Sequence, residues 1–151
     1  MSKIALATRL IVEIFRLHSA LIVSGDRLVA DLGLTSARWQ VLAAMVMRGE
    51  PAPVVRLAED MGLARQSVQR IVNELEQQGA LRFAANPRHR RAKLVVLTPA
   101  GRALFDAAMR LQAPWARRLV ATVRTDELEG VANILAELRT KLERGGVGRH
   151  G

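Results

Sequence analysis

The chain has 151 residues, half of them apolar but only 3% aromatic, with 23 Lys and Arg against 14 Asp and Glu, a formal charge of +9 and no cysteine. That length admits one structural unit with a real core, or a small core plus an oligomerisation arm, and excludes two ordinary enzyme domains. Missing thiols exclude disulfides, thiolate metal sites and cysteine-based peroxide sensing; the cation excess points to a polyanionic or acidic partner, and the Ala, Leu and Val content points to a mainly α fold.

From residue 4 to 32 the apolar residues Ala7, Leu10, Ile11, Ile14, Leu17, Leu21, Ile22 and Leu28 recur at three- and four-residue steps, with Arg9, Glu13 and Arg16 grouped opposite. This predicts a long amphipathic helix, bent near Gly25. With Arg9, Glu13, Arg16 and His18 among its first eighteen residues, the N-terminus is neither a membrane span nor a signal peptide with a clean apolar core, so a cytoplasmic protein is expected. Thr35 is a good N-cap for a second helix through Trp39, Val41, Leu42 and Met45, ending near Arg48-Gly49. Glu50-Pro51-Ala52-Pro53 is a breaker, with Pro53 at the start of the next helix.

Val54, Val55, Leu57, Ala58 and Met61 form a short amphipathic segment closed by Gly62. The following run, helical over about 64–78, places Leu63, Val68, Ile71, Val72 and Leu75 on one face and Arg65, Gln66, Gln69, Arg70 and Asn73 on the other. The two segments read as a helix-turn-helix, and Gly79 is placed to end the second as a C′ residue. Residues 81–85 and 92–97 read as paired strands around Asn86-Pro87 and a basic turn containing Arg88, Arg90, Arg91 and Lys93. No acidic residue occurs between Glu76 and Asp106.

A helix in the major groove presents the side chains of its first two turns, which makes Arg65, Gln66, Gln69 and Arg70 candidate base readers. Gln matches adenine and Arg matches guanine through two hydrogen bonds each. Ser67, beside the free amides of the helix start, suits a phosphate; Arg91, with Arg88, Arg90 and Lys93, is placed to reach the adjacent minor groove. Taken singly, these residues are also what a solvated helix face and an arginine-rich loop would show. Turn, helix and counter-acid-free wing together favour double-stranded DNA as the partner.

Thr98-Pro99 begins another helix, a capping hydroxyl followed by Pro at the first position. Its stripe is Leu104, Ala108, Leu111, Trp115 and Leu119, and Pro114 is expected to kink or break it. Thr125 is the expected cap of a last helix whose seam is Leu128, Val131, Leu135, Leu138 and Leu142; the tail 145–151 is expected to be disordered. The terminal segments 1–32 and 99–144 carry more apolar seam than the 34–98 lobe needs. They are therefore expected to form a dimerisation domain, giving a homodimer whose two recognition helices lie about 34 Å apart and read a pseudo-palindrome.

These residues resemble the MarR-type (multiple antibiotic resistance regulator) winged helix-turn-helix family over nearly the whole chain. The resemblance rests on the long first helix, on 34–42 and 57–68, on the hinge Leu75-Glu76-Gln77-Gln78-Gly79, on the wing and on Leu97-Thr98-Pro99-Ala100-Gly101. The family's wing pattern, Asp-Pro-x-Asp-x-Arg, places its Arg on Arg91, while Asn86 and His89 stand at the two acid positions, which in such proteins help to order the wing. Ala64 stands where the family often has a capping Ser or Thr. The resemblance further implies a small aromatic or amphipathic acid as effector, bound between the dimerisation helices and the DNA-binding lobe, for which His18, Trp39 and Trp115 are the candidates.

With no metal-ligand spacing among His18, His89 and His150 and no phosphate-binding Gly-rich loop, neither an enzyme nor a cofactor is expected. The reading is a homodimeric, sequence-specific transcriptional regulator, a ligand-responsive repressor. The alternatives are a non-specific architectural DNA-binding protein and a winged-helix module that meets an acidic protein surface.

Overall fold

The computed structural model describes residues 1–145, so of the tail only Gly145 is described and 146–151 lie outside the described residues. The elements are α1 (Lys3–Val29), a turn of 3₁₀ helix (Ala30–Leu32), α2 (Ser36–Arg48), α3 (Val54–Met61), α4 (Arg65–Gln77), β1 (Leu81–Ala84), β2 (Leu94–Leu97), α5 (Pro99–Leu119) and α6 (Thr125–Glu143). Two compact units result, Met1–Ala113 and the part from Pro114 onward.

In the first unit the apolar faces of α2, α3 and α4 meet in one core of Val41, Leu42, Met45, Leu57, Val68, Ile71, Val72 and Leu75. Val29 from the end of α1, Leu81 and Val95 from the hairpin and Ala108 from α5 complete it. Burial of each such Val or Leu is worth about 1.5–3 kcal/mol, so α4 is held chiefly by its inner face. Leu63 departs from expectation: it sits in the α3–α4 turn, 46% exposed, because α4 begins two residues later.

Three corners fix the lobe. At the first, the Ser36 amide, an orphan donor at the start of α2, donates to Asp26 Oδ1 at 2.7 Å, and Ser36 Oγ donates to the Ile22 carbonyl at 2.8 Å. The helix is continuous through Gly25, and a Cβ there would stand 2.4 Å from Ser36 Oγ. At the second, the 50–53 segment does more than break a helix. Ala52 pairs with Val95 through N–H···O bonds of 3.2 and 2.8 Å, adding a third backbone to the base of the hairpin.

The third corner joins α4, hairpin and α5. Gly79 (φ +76°) and Ala80 end α4 with bonds to the Glu76 and Leu75 carbonyls, the paired bonds of a Schellman motif. Thr98 Oγ1 accepts from the Gly101 amide at 3.0 Å and lies 2.6 Å from the Gly79 carbonyl, to which it donates. A Cβ on Gly101 would stand 2.0 Å from the Ala80 carbonyl oxygen. The strands pair antiparallel with Leu81 opposite Leu97 and Phe83 opposite Val95, and are shorter than the sequence suggested because pairing ends at Ala84 and Leu94, leaving 85 and 92–93 to flank the wing turns at 87–88 and 90–91.

Pro114 removes one helical N–H yet α5 continues to Leu119, so the ring does not break it. In the second unit, Thr125 is the first residue of α6, not its cap. The Arg124 amide donates to Glu127 Oε2 at 3.2 Å, half of a capping box. No described residue of α6 is buried, and Leu128, Val131, Leu138 and Leu142 are 37–69% exposed.

The third corner generates a test. Gly101→Ala should cost about 1–3 kcal/mol of stability by forcing α5 off the Ala80 carbonyl, measured by urea unfolding; an unchanged midpoint would show that this close approach is not required.

Candidate nucleic-acid interface

α4 is presented by a tight turn. Gly62 (φ +65°) and Leu63 donate to the Glu59 and Ala58 carbonyls, ending α3 and reversing the chain in a left-handed step that glycine makes without penalty. Ala64, the N-cap of α4, supplies no side-chain acceptor, so the first-turn amides stay available beside the exposed Ser67 hydroxyl. Arg65, Gln66 and Arg70 are exposed. Gln69 is half-buried, and its Nε2 donates to Asn73 Oδ1 at 2.9 Å. That bond occupies one of its donors, so Asn73 shares control of the Gln69 amide; the sequence reading placed Asn73 on this face without giving it a task.

The wing is closed by Asn86. Its Nδ2 donates to the Ala92 carbonyl at 2.9 Å, and its Oδ1 accepts from the Arg88 amide at 3.1 Å. The backbone adds His89 N–H to the Asn86 carbonyl and Ala92 N–H to the His89 carbonyl, both at 3.2 Å. A neutral amide with one donor and one acceptor thus bridges the turn without an acid, and no carboxylate is spent on neutralising the loop. Arg88, Arg90, Arg91 and Lys93 are all exposed. Phe83, Ala84, Ala85 and Asn86 line a shallow cleft at the wing base with Arg90 and Lys93 on it.

The pairing of cations divides the lobe. Arg38 bonds Glu74 at 3.1 Å and Arg48 bonds Asp60 at 2.6 Å, each pair partly exposed and joining two helices of the lobe. Among the described residues, Arg65, Arg70, Arg88, Arg90, Arg91 and Lys93 form no ion pair. Six uncompensated cations on one helix and one loop give a positive field with room for phosphates.

The effector candidates differ in exposure. His18 lies exposed on α1, Trp39 packs half-buried against the lobe core, and Trp115 is half-buried in the second unit. A second shallow cleft lies between α2 and the α3–α4 turn, lined by Gln40, Met47, Arg48, Asp60 and Leu63; neither cleft includes the three candidates. Among the described residues no group of His, Asp and Glu could hold a metal ion, and no helix is long and apolar enough to cross a membrane.

Residues 32–92 match the sequence profile of the MarR family. An uncharacterized protein of Mycobacterium tuberculosis, Rv2011c, is 38% identical over 99 residues, covering 66% of this chain and 68% of that one. The transcriptional activatory protein BadR of Rhodopseudomonas palustris is 30% identical over 109 residues, covering 70% of this chain and 61% of its own length. Among solved structures, the transcriptional regulator BldR from Sulfolobus solfataricus superposes with a TM-score of 0.79 at 24% identity, over 91% of this chain and 99% of that one. The organohalide-sensing regulator RdhR-CbdbA1625, bound to 2,4-dichlorophenol, gives 0.83 at 17% identity over 99% and 90%. An Escherichia coli MarR mutant complexed with operator DNA gives 0.72 at 22% identity over 85% and 94%. The three structures establish the shared fold. The chain belongs to the MarR family, a family of transcriptional regulators and not of enzymes.

The closure of the wing is open to direct measurement. Asn86→Ala should speed amide hydrogen exchange at Arg88 by about two- to tenfold, the worth of one net hydrogen bond, while Asn86→Asp, which keeps the acceptor, should protect Arg88 better than Ala does. Equal exchange in all three proteins would mean that the side chain does not hold the loop.

Proposed function

We propose that this regulator acts as a homodimer on a pseudo-palindromic duplex site, as a ligand-responsive repressor in the cytoplasm. α4 enters the major groove, where Arg65, Gln66, Gln69 and Arg70 read base edges and Ser67 holds a phosphate. The wing, 86–93, runs to the adjacent minor groove with Arg88, Arg90, Arg91 and Lys93. The observation that carries this reading is the set of cations left without ion pairs on α4 and the wing, in a lobe that pairs Arg38 and Arg48 internally. The operator-bound relative of the same fold supports it.

The dimer reading assigns 1–32 and 99–144 to a dimerisation domain beside the 34–98 lobe. It rests on apolar side chains that a single chain leaves in water: Ile4 at 79%, Phe15 at 69% and Leu142 at 69% exposure, with Leu17, Val131 and Ile134 above half. Helices with such faces are covered in a second copy at low cost, and a two-fold axis sets two recognition helices against two half-sites. For the effector, a small aromatic or amphipathic acid, support comes from the aromatic ligand of the dichlorophenol-bound relative and from a further structural relative, BpsR of Bordetella bronchiseptica, whose DNA binding is regulated by 6-hydroxynicotinic acid. His18, Trp39 and Trp115 remain the candidates for contacting it between the dimerisation helices and the lobe, where binding would change the spacing of the recognition helices.

Two experiments test the reading. Selection of bound fragments from the source genome, followed by titration in rising salt, should return a short inverted repeat. Arg65→Ala or Gln69→Ala should relax preference at single positions by about 1–3 kcal/mol. Arg91→Ala should weaken every sequence alike and flatten the salt slope by about one. A specific-to-random affinity ratio near one would instead leave a non-specific architectural protein. Sedimentation equilibrium should report twice the 16.6 kDa chain mass, and a stable monomer would remove the paired recognition helices.

A further inference from the structure

α4 is tied to the rest of the lobe by few directional contacts. Its inner face, Val68, Ile71, Val72 and Leu75, is buried against α2 and α3, but apolar packing resists sliding and rotation weakly compared with hydrogen bonds of fixed geometry. Among the described residues only two side-chain bonds join residues 65–78 to other elements. Arg38 Nε donates to Glu74 Oε2 at 3.1 Å, and Gln78 Nε2 donates to the Gly33 carbonyl at 2.7 Å. The same carbonyl also accepts from Arg38 Nη1 at 3.4 Å, which closes the set into one network.

The placement matters. At 100° per residue, Glu74 and Gln78 lie one turn apart on a single flank of α4, between the buried face and the face bearing Gln66, Arg70 and Asn73. Both bonds reach one short segment, Gly33 to Arg38, between α1 and the first turn of α2. That segment is itself fixed. Gly33 (φ +70°) ends the 3₁₀ turn with its amide on the Ala30 carbonyl, and Ser36 is latched to α1 through Asp26 and Ile22. A side-chain tip lies about 5–6 Å from the helix axis, so a 10° turn of α4 moves it by about 1 Å, enough to spoil a bidentate base contact.

We propose that Arg38, Glu74, Gln78 and the Gly33 carbonyl form a polar clamp that sets the rotation of α4 about its axis. Arg38, Glu74 and Gln78 are then positioning residues for base recognition that themselves read no base. This deepens the DNA-binding reading above and rests on it for its functional consequence. The clamp acts on specificity: a recognition helix free to rotate still presents its charge to phosphates, while losing the alignment that distinguishes one base from another.

Arg38→Leu and Glu74→Gln, with Gln78→Ala as a third variant, separate alignment from charge. Loss of a cation weakens binding to any duplex and loss of an anion strengthens it, so a purely electrostatic effect has opposite signs in the first two variants. The clamp instead requires the ratio of selected-site to random-duplex affinity to fall in all three, by about tenfold. The reversed pair, Arg38→Glu with Glu74→Arg, should recover part of that ratio. Amide residual dipolar couplings of 65–77 in the free dimer should shift in each single variant relative to wild type while α2 and α3 keep theirs. A ratio unchanged within about twofold together with unmoved couplings would overturn the clamp. If wild type prefers no duplex over random DNA, sequence-specific regulation falls, and the couplings alone decide: a reoriented α4 supports the clamp, an unmoved one refutes it.

Discussion

The constraint on which the structure depends is the division of α4 into two faces. Val68, Ile71, Val72 and Leu75 must leave water, and they do so in the core they share with α2, α3 and the hairpin. Once that face is buried, Arg65, Gln66 and Arg70 have nowhere to go but outward. The outward display of donors is therefore a consequence of core formation, and no separate interaction is needed to hold those side chains in the open.

What the core leaves undetermined is settled where elements meet, and three of those meetings use a backbone oxygen. The Ile22 carbonyl takes the Ser36 hydroxyl, the Gly33 carbonyl takes Gln78 and Arg38, and the Ala80 carbonyl lies against Gly101 and accepts from the Thr98 amide. A carbonyl oxygen has two lone pairs, so Ile22, inside α1, can take a second donor, and Gly33 and Ala80, each just past a helix, are natural attachment points for a neighbouring element. The long α1, α4 and α5 are each joined to the lobe by such a point, and small residues at Gly25 and Gly101 admit the approach.

Much of this was legible from sequence because it is local. The period of α4, the Thr35 cap, the Gly62 and Gly79 stops and the Thr98-Pro99 start all depend on residues within one helical turn, and each lies where the pattern put it. The failures have the same cause in reverse. Leu63 fits the apolar period of α4 but precedes its first turn, so period alone could not assign it to the turn. The Ala52–Val95 pairing spans more than forty residues and involves one residue of a Pro-flanked segment, which carries no alternation to detect. The N-cap of α6 falls on Arg124 rather than Thr125, with Glu127 serving its amide, a shift of one position that composition cannot distinguish. Arg38–Glu74 and Gln78–Gly33 join residues 36 and 45 positions apart, and nothing in a single sequence marks them as partners.

The wing shows how a departure from a family pattern can preserve shape while altering charge. An acid at position 86 would accept the Arg88 amide but could not donate to the Ala92 carbonyl; Asn86 does both. With no carboxylate in the loop, the charges of Arg88, Arg90, Arg91 and Lys93 add without internal neutralisation, at the cost of mutual repulsion that salt screens and a polyanion relieves. Repulsion of that kind raises the energy of the free protein and is released on contact with phosphate, so it increases affinity for any duplex, matched or not. Discrimination must then come from α4 alone. A strongly basic wing therefore makes the alignment of α4 more consequential, because a poorly aligned recognition helix would still be held on DNA by the loop beside it.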